Sequence, residues 1–388
     1  ALYWAVTSAG GVVVPLSPLL NPAAIAKLLR SCGAFSVVIG PEHEAEIRRE
    51  LQTQSVNLRV LVHDDRDRDS SFRTFIEGRP STPLPPAGIQ PKDLFNIVYS
   101  SGTTGEPKGI EHSHLVRSQY AAHFAAAFRM TPESVVLHTG SIVFNGAFCT
   151  LMPCFYLGAR YILHPVFDVD ALITTVRDEG VTHVMMVPAQ IIALLEYPDL
   201  DASDLVSLQT VLSLGAPLYQ EHKDRFMALL PGRLYELYGL TEGFVTILDK
   251  YDVERKPGSV GCPPPGFRMR IVDEGGQDLP AGEIGEIVGD GPIRMSGYHG
   301  RPDLTAKLHL VELPVFIMLL WWLLNDFGIV GAAIAWVIRI IIDTVLLFVI
   351  AEKKVLNDYS FNFRWLLMML AALAVIAAGG MIFATTMK

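Results

Sequence analysis

Between Tyr99 and Gly109 the chain reads Tyr-Ser-Ser-Gly-Thr-Thr-Gly-Glu-Pro-Lys-Gly. Two early glycines let backbone amides turn toward a bound anion, four hydroxyls add donors, and one lysine supplies positive charge. That is chemistry suited to phosphate. The string is not a Walker A loop, which ends Gly-Lys-Ser/Thr, because Pro107 precedes Lys108 and Gly109 follows it. On residue types alone an ordinary surface turn reads the same composition, and it is the commoner use of such a string. A second chemical pair, Thr241-Glu242, offers a hydroxyl beside a carboxylate; taken by itself it also reads as a helix start. His112, His114, His138, His164 and His183 show no catalytic pairing, so each reads as a surface or a satisfied core histidine. Cys32, Cys149, Cys154 and Cys262 lie among apolar neighbours with no CxxC pair, which predicts buried thiols and no zinc site.

The surrounding elements must position these groups. Short β-branched runs at 11–14, 35–39, 58–62, 94–99, 182–187 and 210–214 read as strands. Helical patterns at 23–31, capped by Asn21-Pro22, and at 42–51, 115–128, 169–179 and 218–230 alternate with them. A helix is expected near His112, directly after the lysine. Strict alternation means crossover units and largely parallel sheet. Segments 267–273 and 283–288 flank Gly275-Gly276 and suggest a hairpin in a small β subdomain. His63 to Ser70 alternates in charge and reads as a solvated loop, and the proline-rich stretch 79–86 as a connector between subdomains.

The Tyr99–Gly109 string resembles the phosphate loop of the adenylate-forming superfamily, which holds acyl-CoA synthetases, peptide-synthetase adenylation domains and luciferases. Further segments resemble that family's landmarks in its order. These are Ser213-Leu-Gly-Ala-Pro-Leu218, Tyr235-Glu-Leu-Tyr-Gly-Leu-Thr-Glu242, Lys256-Pro-Gly-Ser-Val-Gly261, Gly282-Glu-Ile-Gly-Glu286 and Ser296-Gly-Tyr298. The resemblance implies an ATP site with Mg²⁺ and, for the acyl-CoA branch, coenzyme A as co-substrate. It implies that Ser101, Gly102, Thr103, Thr104, Gly105 and Lys108 cradle the outgoing phosphates. Tyr238 would stack on adenine, with Glu236 and the Leu237 backbone at the purine edge, and Gly239 would be among the nucleotide-binding residues. Gly215, Ala216 and Pro217 would let nucleotide and acyl group lie close to the backbone. Thr241 would donate to the α-phosphate and Glu242 would hold the metal. Thr241, Glu242 and Lys108 are thus the catalytic candidates, and a fatty or aryl acid the expected substrate. Where many acyl-CoA ligases show Phe-His before a small residue, this chain has Phe144-Asn145-Gly146; a side-chain donor survives there and the aromatic gate does not.

Half of the 388 residues are hydrophobic and 18% are charged, with a formal net charge of -9. The mean hydropathy is +0.34. From Lys307 onward there are six basic and five acidic residues, so the negative charge belongs to residues 1–306 and the excess of apolar residues to the tail. An acidic body excludes a nucleic-acid partner, and the apolar content excludes disorder. A bilayer core of about 30 Å takes roughly 20 helical residues, and spans are expected at about 308–325, 327–350 and 365–385. Lys353, Lys354 and Arg364 set the loop 351–364 on the cytoplasmic side. Three spans then place residues 1–306 in the cytoplasm too. The expected molecule is an α/β domain of largely parallel layered sheets with flanking helices and a small β subdomain, anchored in the bilayer by about three transmembrane helices. Its start reads as a break inside a domain. The family's lid, hinge and ribose-binding Asp do not follow Arg301-Pro-Asp-Leu-Thr, which predicts impaired adenylation. The tail, with Leu308-His-Leu-Val-Glu-Leu-Pro314 and Gly328-Ile-Val-Gly-Ala-Ala-Ile-Ala335, resembles the last helices of polysaccharide or lipid-linked oligosaccharide flippases. The join near residues 300–309 therefore reads as two unrelated coding sequences meeting. The alternative function is a transporter fragment carrying a passenger nucleotide-binding domain.

Overall fold

The computed structural model describes residues 1–301 except 65, 68–69, 80–81, 83–86 and 101–106. In chain order the elements begin with α1 (Leu2–Ser8), α2 (Pro22–Ser31), β1 (Ser36–Ile39), α3 (Glu44–Thr53), β2 (Arg59–Val62) and α4 (Ser71–Ile76). Then follow β3 (Leu94–Ser100), β4 (Lys108–Ser113), α5 (His114–Ala127), β5 (Val135–Thr139), α6 (Phe148–Leu157), β6 (Arg160–His164) and α7 (Val169–Glu179). After these come β7 (His183–Met186), α8 (Pro188–Leu195), β8 (Thr210–Leu214), α9 (Gln220–Leu229), β9 (Leu234–Leu240) and β10 (Phe244–Leu248). The last described elements are β11 (Arg268–Val272), β12 (Glu286–Asp290) and β13 (Gly297–Tyr298).

Local chemistry sets the ends of the main helices. Asn21 Oδ1 accepts from Ala24 N at 2.8 Å with Pro22 at the first helical position, as its sequence suggested. Ser113 caps α5 through Val116 N, and Asp168 caps α7 through Ala171 N at 2.8 Å.

The principal sheet runs β10-β9-β8-β7-β5-β6 among the described residues. Its pairs are parallel except β9 with the edge strand β10. Helices cover both faces. Val136, Met185, Leu212 and Tyr235 pack with Tyr120 and Phe124 of α5 and Phe148 and Leu151 of α6. Leu137, Val184, Met186 and Val211 face Leu172 and Val176 of α7, Ile191 of α8 and Phe226 of α9. Adjacent residues of a strand thus serve opposite cores, as the period of two requires. β6 and β7 flank β5 on opposite sides, so the crossovers reverse direction there. In open α/β sheets the crevice at such a reversal, beyond the carboxyl ends of the strands, is where ligands bind. A separate small core joins α2 and α3 to the parallel pair β1–β2.

Three expectations fail locally. Residues 11–14 form no strand; Val13 makes one bridge to Asn96, and Pro15 and Pro18 supply no amide with which to continue it. The helix expected near His112 begins at His114, because Lys108–Ser113 pairs with β3 as an antiparallel strand. The β11–β12 pair is antiparallel as expected, yet Val272 faces Glu286. The connection therefore runs over 273–285, with Gly275-Gly276 in a local turn closed by Gly276 N on Asp273 O. Cys149 and Cys154 are buried and Cys32 half-buried, whereas Cys262 is exposed, so one thiol departs from the buried set.

No helix among the described residues is long and apolar enough to cross a membrane. The three expected spans, and with them the flippase-like tail, fall in residues 302–388, outside the described residues.

Candidate active site

Thr241, Glu242 and Gly243 form the tight turn joining β9 to β10, with Leu240 opposite Phe244 and Gly243 N donating to Leu240 O at 3.0 Å. The turn therefore projects past the carboxyl end of β9, and Thr241-Glu242 does not start a helix. At the same edge lie Gly215, Ala216 and Pro217, which follow β8, and residues 144–147, which follow β5. Tyr238, near the end of β9, is partly exposed, while Leu237 is buried. Gly239 lies against the carbonyl of Phe244 and the side chain of Val245 across the hairpin.

The phosphate-loop candidates Ser101, Gly102, Thr103, Thr104 and Gly105 lie outside the described residues. Both ends of that loop are fixed, however, by the register of β3 with β4, where Ser100 faces Lys108 and Tyr99 faces Gly109. Along β4 the side chains of Lys108, Ile110 and His112 share one face. That face meets the Thr241-Glu242 turn directly through His112 and indirectly, by way of Tyr298, through Lys108. His112 Nε2 lies 2.9 Å from the Thr241 carbonyl oxygen. Lys108 Nζ sits 5.2 Å from the ring centroid of Tyr298, whose hydroxyl donates to Glu242 Oε1 at 2.8 Å. Burial first, then the Glu242 carboxylate, push the Tyr298 phenol up to about 12, so this group keeps its proton and donates.

Tyr298 reaches this position because β13 adds to β4, with Tyr298 opposite Ile110. Backbone bonds secure the contact: Met295 N to Glu242 O at 2.9 Å, Ser296 N to Glu111 O at 2.8 Å and His299 N to Gly109 O at 2.7 Å. Lys108 and the carboxylate of Glu242 thus approach each other across Tyr298, a residue from a third segment. Sequence reasoning noted Tyr298 as a landmark and gave it no role. Its pairing partner is almost two hundred residues away, and no local pattern announces such a pairing.

Two further findings refine the expected roles. The Glu236 carboxylate is buried and paired with Lys223 of α9. The main chain of that residue lies within the sheet, opposite Ser213 of β8 and Leu248 of β10, so the side chain and main chain expected at a purine edge are both engaged by the fold. Asn145 is committed on both sides of its amide: Oδ1 accepts from Arg117 Nη1 at 3.0 Å and Nδ2 donates to Tyr120 Oη at 2.9 Å. The donor expected to survive at the pocket wall is engaged by the interior.

The buried histidines make the body acid-sensitive. Burial first, then the Arg117 charge, lower the His112 pKa from 6.5 to about 3. Burial lowers that of His183, seated on the Phe128 carbonyl, to about 4. Below pH 6.5 an unfolded chain takes up protons that the folded chain refuses. Each contribution is therefore complete above pH 6.5 and is lost as the pH falls toward the folded value. Between pH 6.5 and 5 each histidine removes about 2 kcal/mol. The urea midpoint is expected to drop between pH 7 and pH 5, and to drop less in His183→Gln; equal slopes in the two proteins would contradict this account.

These features place the chain in a class. The profile of the AMP-binding enzyme family matches residues 1–299, and the chain belongs to that family. It is 31% identical to a feruloyl-CoA synthase of an Amycolatopsis species over 77% of this chain and 59% of the relative. It is 29% identical to a long-chain-fatty-acid–CoA ligase of Bacillus subtilis over 79% and 60%. The crystal structure of ATP-bound MatB from Rhodopseudomonas palustris superposes with a TM-score of 0.72 at 28% identity, covering 79% of this chain and 60% of that one. The chain thus spans about three fifths of the length of these relatives.

Proposed function

We propose that this domain binds Mg²⁺-ATP across the Lys108–Tyr298–Glu242 contact and activates a carboxylic acid as its acyl-adenylate, for transfer to the thiol of coenzyme A. The observation that carries the reading is the bridge itself, since Tyr298 brings the lysine of one motif and the carboxylate of another to one point. The names of the relatives, a feruloyl-CoA synthase and a fatty-acid–CoA ligase among them, support an aryl or fatty acid as substrate.

The residues suit the chemistry. A carboxylate oxygen attacks the α-phosphorus of ATP, the bond to the bridging oxygen breaks, and pyrophosphate leaves with the electron pair. The Thr241 hydroxyl would donate where negative charge gathers on the α-phosphate. Glu242, with one oxygen held by Tyr298, offers the other to Mg²⁺. Among the described residues no cluster of three or more His, Cys, Asp or Glu could hold a metal. One carboxylate completed by phosphate oxygens and water is the usual arrangement for this ion. Lys108 and the hydroxyls of residues 101–104 would neutralise the departing pyrophosphate. In the second half the coenzyme A thiol attacks the acyl carbon and AMP leaves. The pocket for the acid would be the crevice between residues 144–147 and 214–217, at the reversal of the sheet. The cytoplasmic placement expected from the tail would put this site where ATP is.

A non-hydrolysable mimic tests the reading without turnover. Feruloyl-sulfamoyl adenosine joins both ligands in one molecule and should bind at least about a hundredfold more tightly than AMP. Equal affinity for mimic and AMP, measured by calorimetry, would leave the carboxylate half of the reading without support and count against it.

A further inference from the structure

Arg117 of α5 is among the largest fully buried side chains, 1% exposed. A guanidinium in such a place is normally matched by a carboxylate, since leaving a charge unpaired in the interior costs several kcal/mol. Among the described residues no carboxylate pairs with it. Its donors go instead to three different segments. Nε donates to Asn96 Oδ1 of β3 at 3.1 Å, Nη1 to Asn145 Oδ1 at 3.0 Å and Nη2 to His112 Nδ1 of β4 at 3.2 Å. The rings of Phe148 and Tyr120 lie 4.1 and 4.8 Å from the guanidinium carbon.

Arginine has donors only. His112 Nδ1 must therefore accept, so the proton of the neutral ring sits on Nε2 and is donated to the Thr241 carbonyl at 2.9 Å. On the opposite side the same logic turns the Asn145 oxygen inward and its NH₂ toward Tyr120. One guanidinium thus fixes a histidine tautomer behind the Thr241-Glu242 turn and an amide orientation at the wall formed by residues 144–147.

We propose that Arg117 is a positioning residue that holds the Thr241-Glu242 turn and the Asn145 wall in a single register, and so sets nucleotide affinity from a place no nucleotide touches. The inference rests on the reading that this turn faces the triphosphate. A lysine keeps the charge but has one nitrogen, and it cannot span three acceptors set in a fork. A methionine fills a similar volume with neither charge nor donors.

The probe is Mg²⁺-ATP, titrated into the full chain by calorimetry. Arg117→Lys and Arg117→Met should each weaken binding about tenfold, equivalent to about 1.4 kcal/mol. His112→Ala should weaken it as well, and the double variant Arg117→Met/His112→Ala should be no worse than Arg117→Met alone, because Arg117 reaches the Thr241 carbonyl only through His112. Histidine-selective ¹⁵N spectra should show His112 neutral with its proton on Nε2 in the wild type and as a tautomer mixture in Arg117→Met, a signature that general loosening of the core does not produce. Wild-type affinity in a folded Arg117→Lys, or additive losses in the double variant, would overturn the proposal. Should Arg117→Met fail to fold, Arg117→Lys, checked by circular dichroism, decides. A wild-type chain that does not bind Mg²⁺-ATP would instead bring down the nucleotide reading, and this inference with it.

Discussion

Glu242→Gln should abolish the gain in ATP affinity that Mg²⁺ provides, a loss of about a hundredfold or about 2.7 kcal/mol. The substitution keeps the shape of the side chain and an oxygen able to accept from Tyr298, and removes only the charge. A hard divalent ion is held by charge on oxygen, so affinity measured without Mg²⁺ should hardly change while affinity with Mg²⁺ falls to meet it. Tyr298→Phe makes the comparison sharper. It deletes the 2.8 Å hydrogen bond to Glu242 and leaves the ring beneath Lys108, so its cost should be that of one hydrogen bond to a charged group, about 1.5–3 kcal/mol at most. If Glu242→Gln bound Mg²⁺-ATP as the wild type does, the carboxylate would have no part in holding the metal and the assignment of this turn would be lost.

Gly243→Ala should be among the most damaging single-methyl changes in the domain, alongside Gly261→Ala. Gly243 has φ +108, and a Cβ there would stand 2.2 Å from Ile293 O and 2.4 Å from Arg294 Cα. Both are backbone atoms, so no side chain can swing aside. The strain of the dihedral and the overlap act together, and about 3 kcal/mol or more of stability should be lost. Gly158→Ala is the control: its φ is +70 but nothing lies within 4 Å of the added methyl, so only the backbone cost of about 1–2 kcal/mol remains. Urea unfolding monitored by fluorescence would order the two variants. A smaller loss for Gly243→Ala than for Gly158→Ala would mean that the close seating of the turn on residues 293–294 is not maintained in solution.

Much of this architecture could be read from the amino-acid order because the relevant signals are local. Asn21-Pro22, Gly180 after α7, and the β-branched run 210–214 mark their elements by short-range chemistry, and 169–179 and 210–214 emerged with the boundaries expected. The helix expected at 115–128 formed as α5, His114–Ala127, but Lys108–Ser113 was not marked as a strand because Glu111, His112 and Ser113 carry little strand propensity. Pairing with β3 on one side and β13 on the other makes it a strand. The motifs named Thr241, Glu242 and Lys108 but could not show that they meet. That depends on Tyr298, delivered by a two-residue strand whose partner lies far back in the chain. Arg117 was passed over for a related reason: on α5 it reads as one more charged residue of an amphipathic helix, and only packing shows that it points inward to Asn96, His112 and Asn145. Residues 101–106 and the tail from 302 lie outside the described residues.

The charges of this domain fall into two populations. Lys223 and Glu236 are closed off from solvent, and Arg117 is closed off with them, whereas Lys108, at the start of β4, and Glu242, in the turn after β9, stand half-exposed. Dissolved salt screens exposed charges over about 10 Å at 0.1 M and reaches interior ones far less. If the proposed function holds, ionic strength is therefore a dial that turns the grip on a triphosphate down while leaving the body that presents it almost as stable as before.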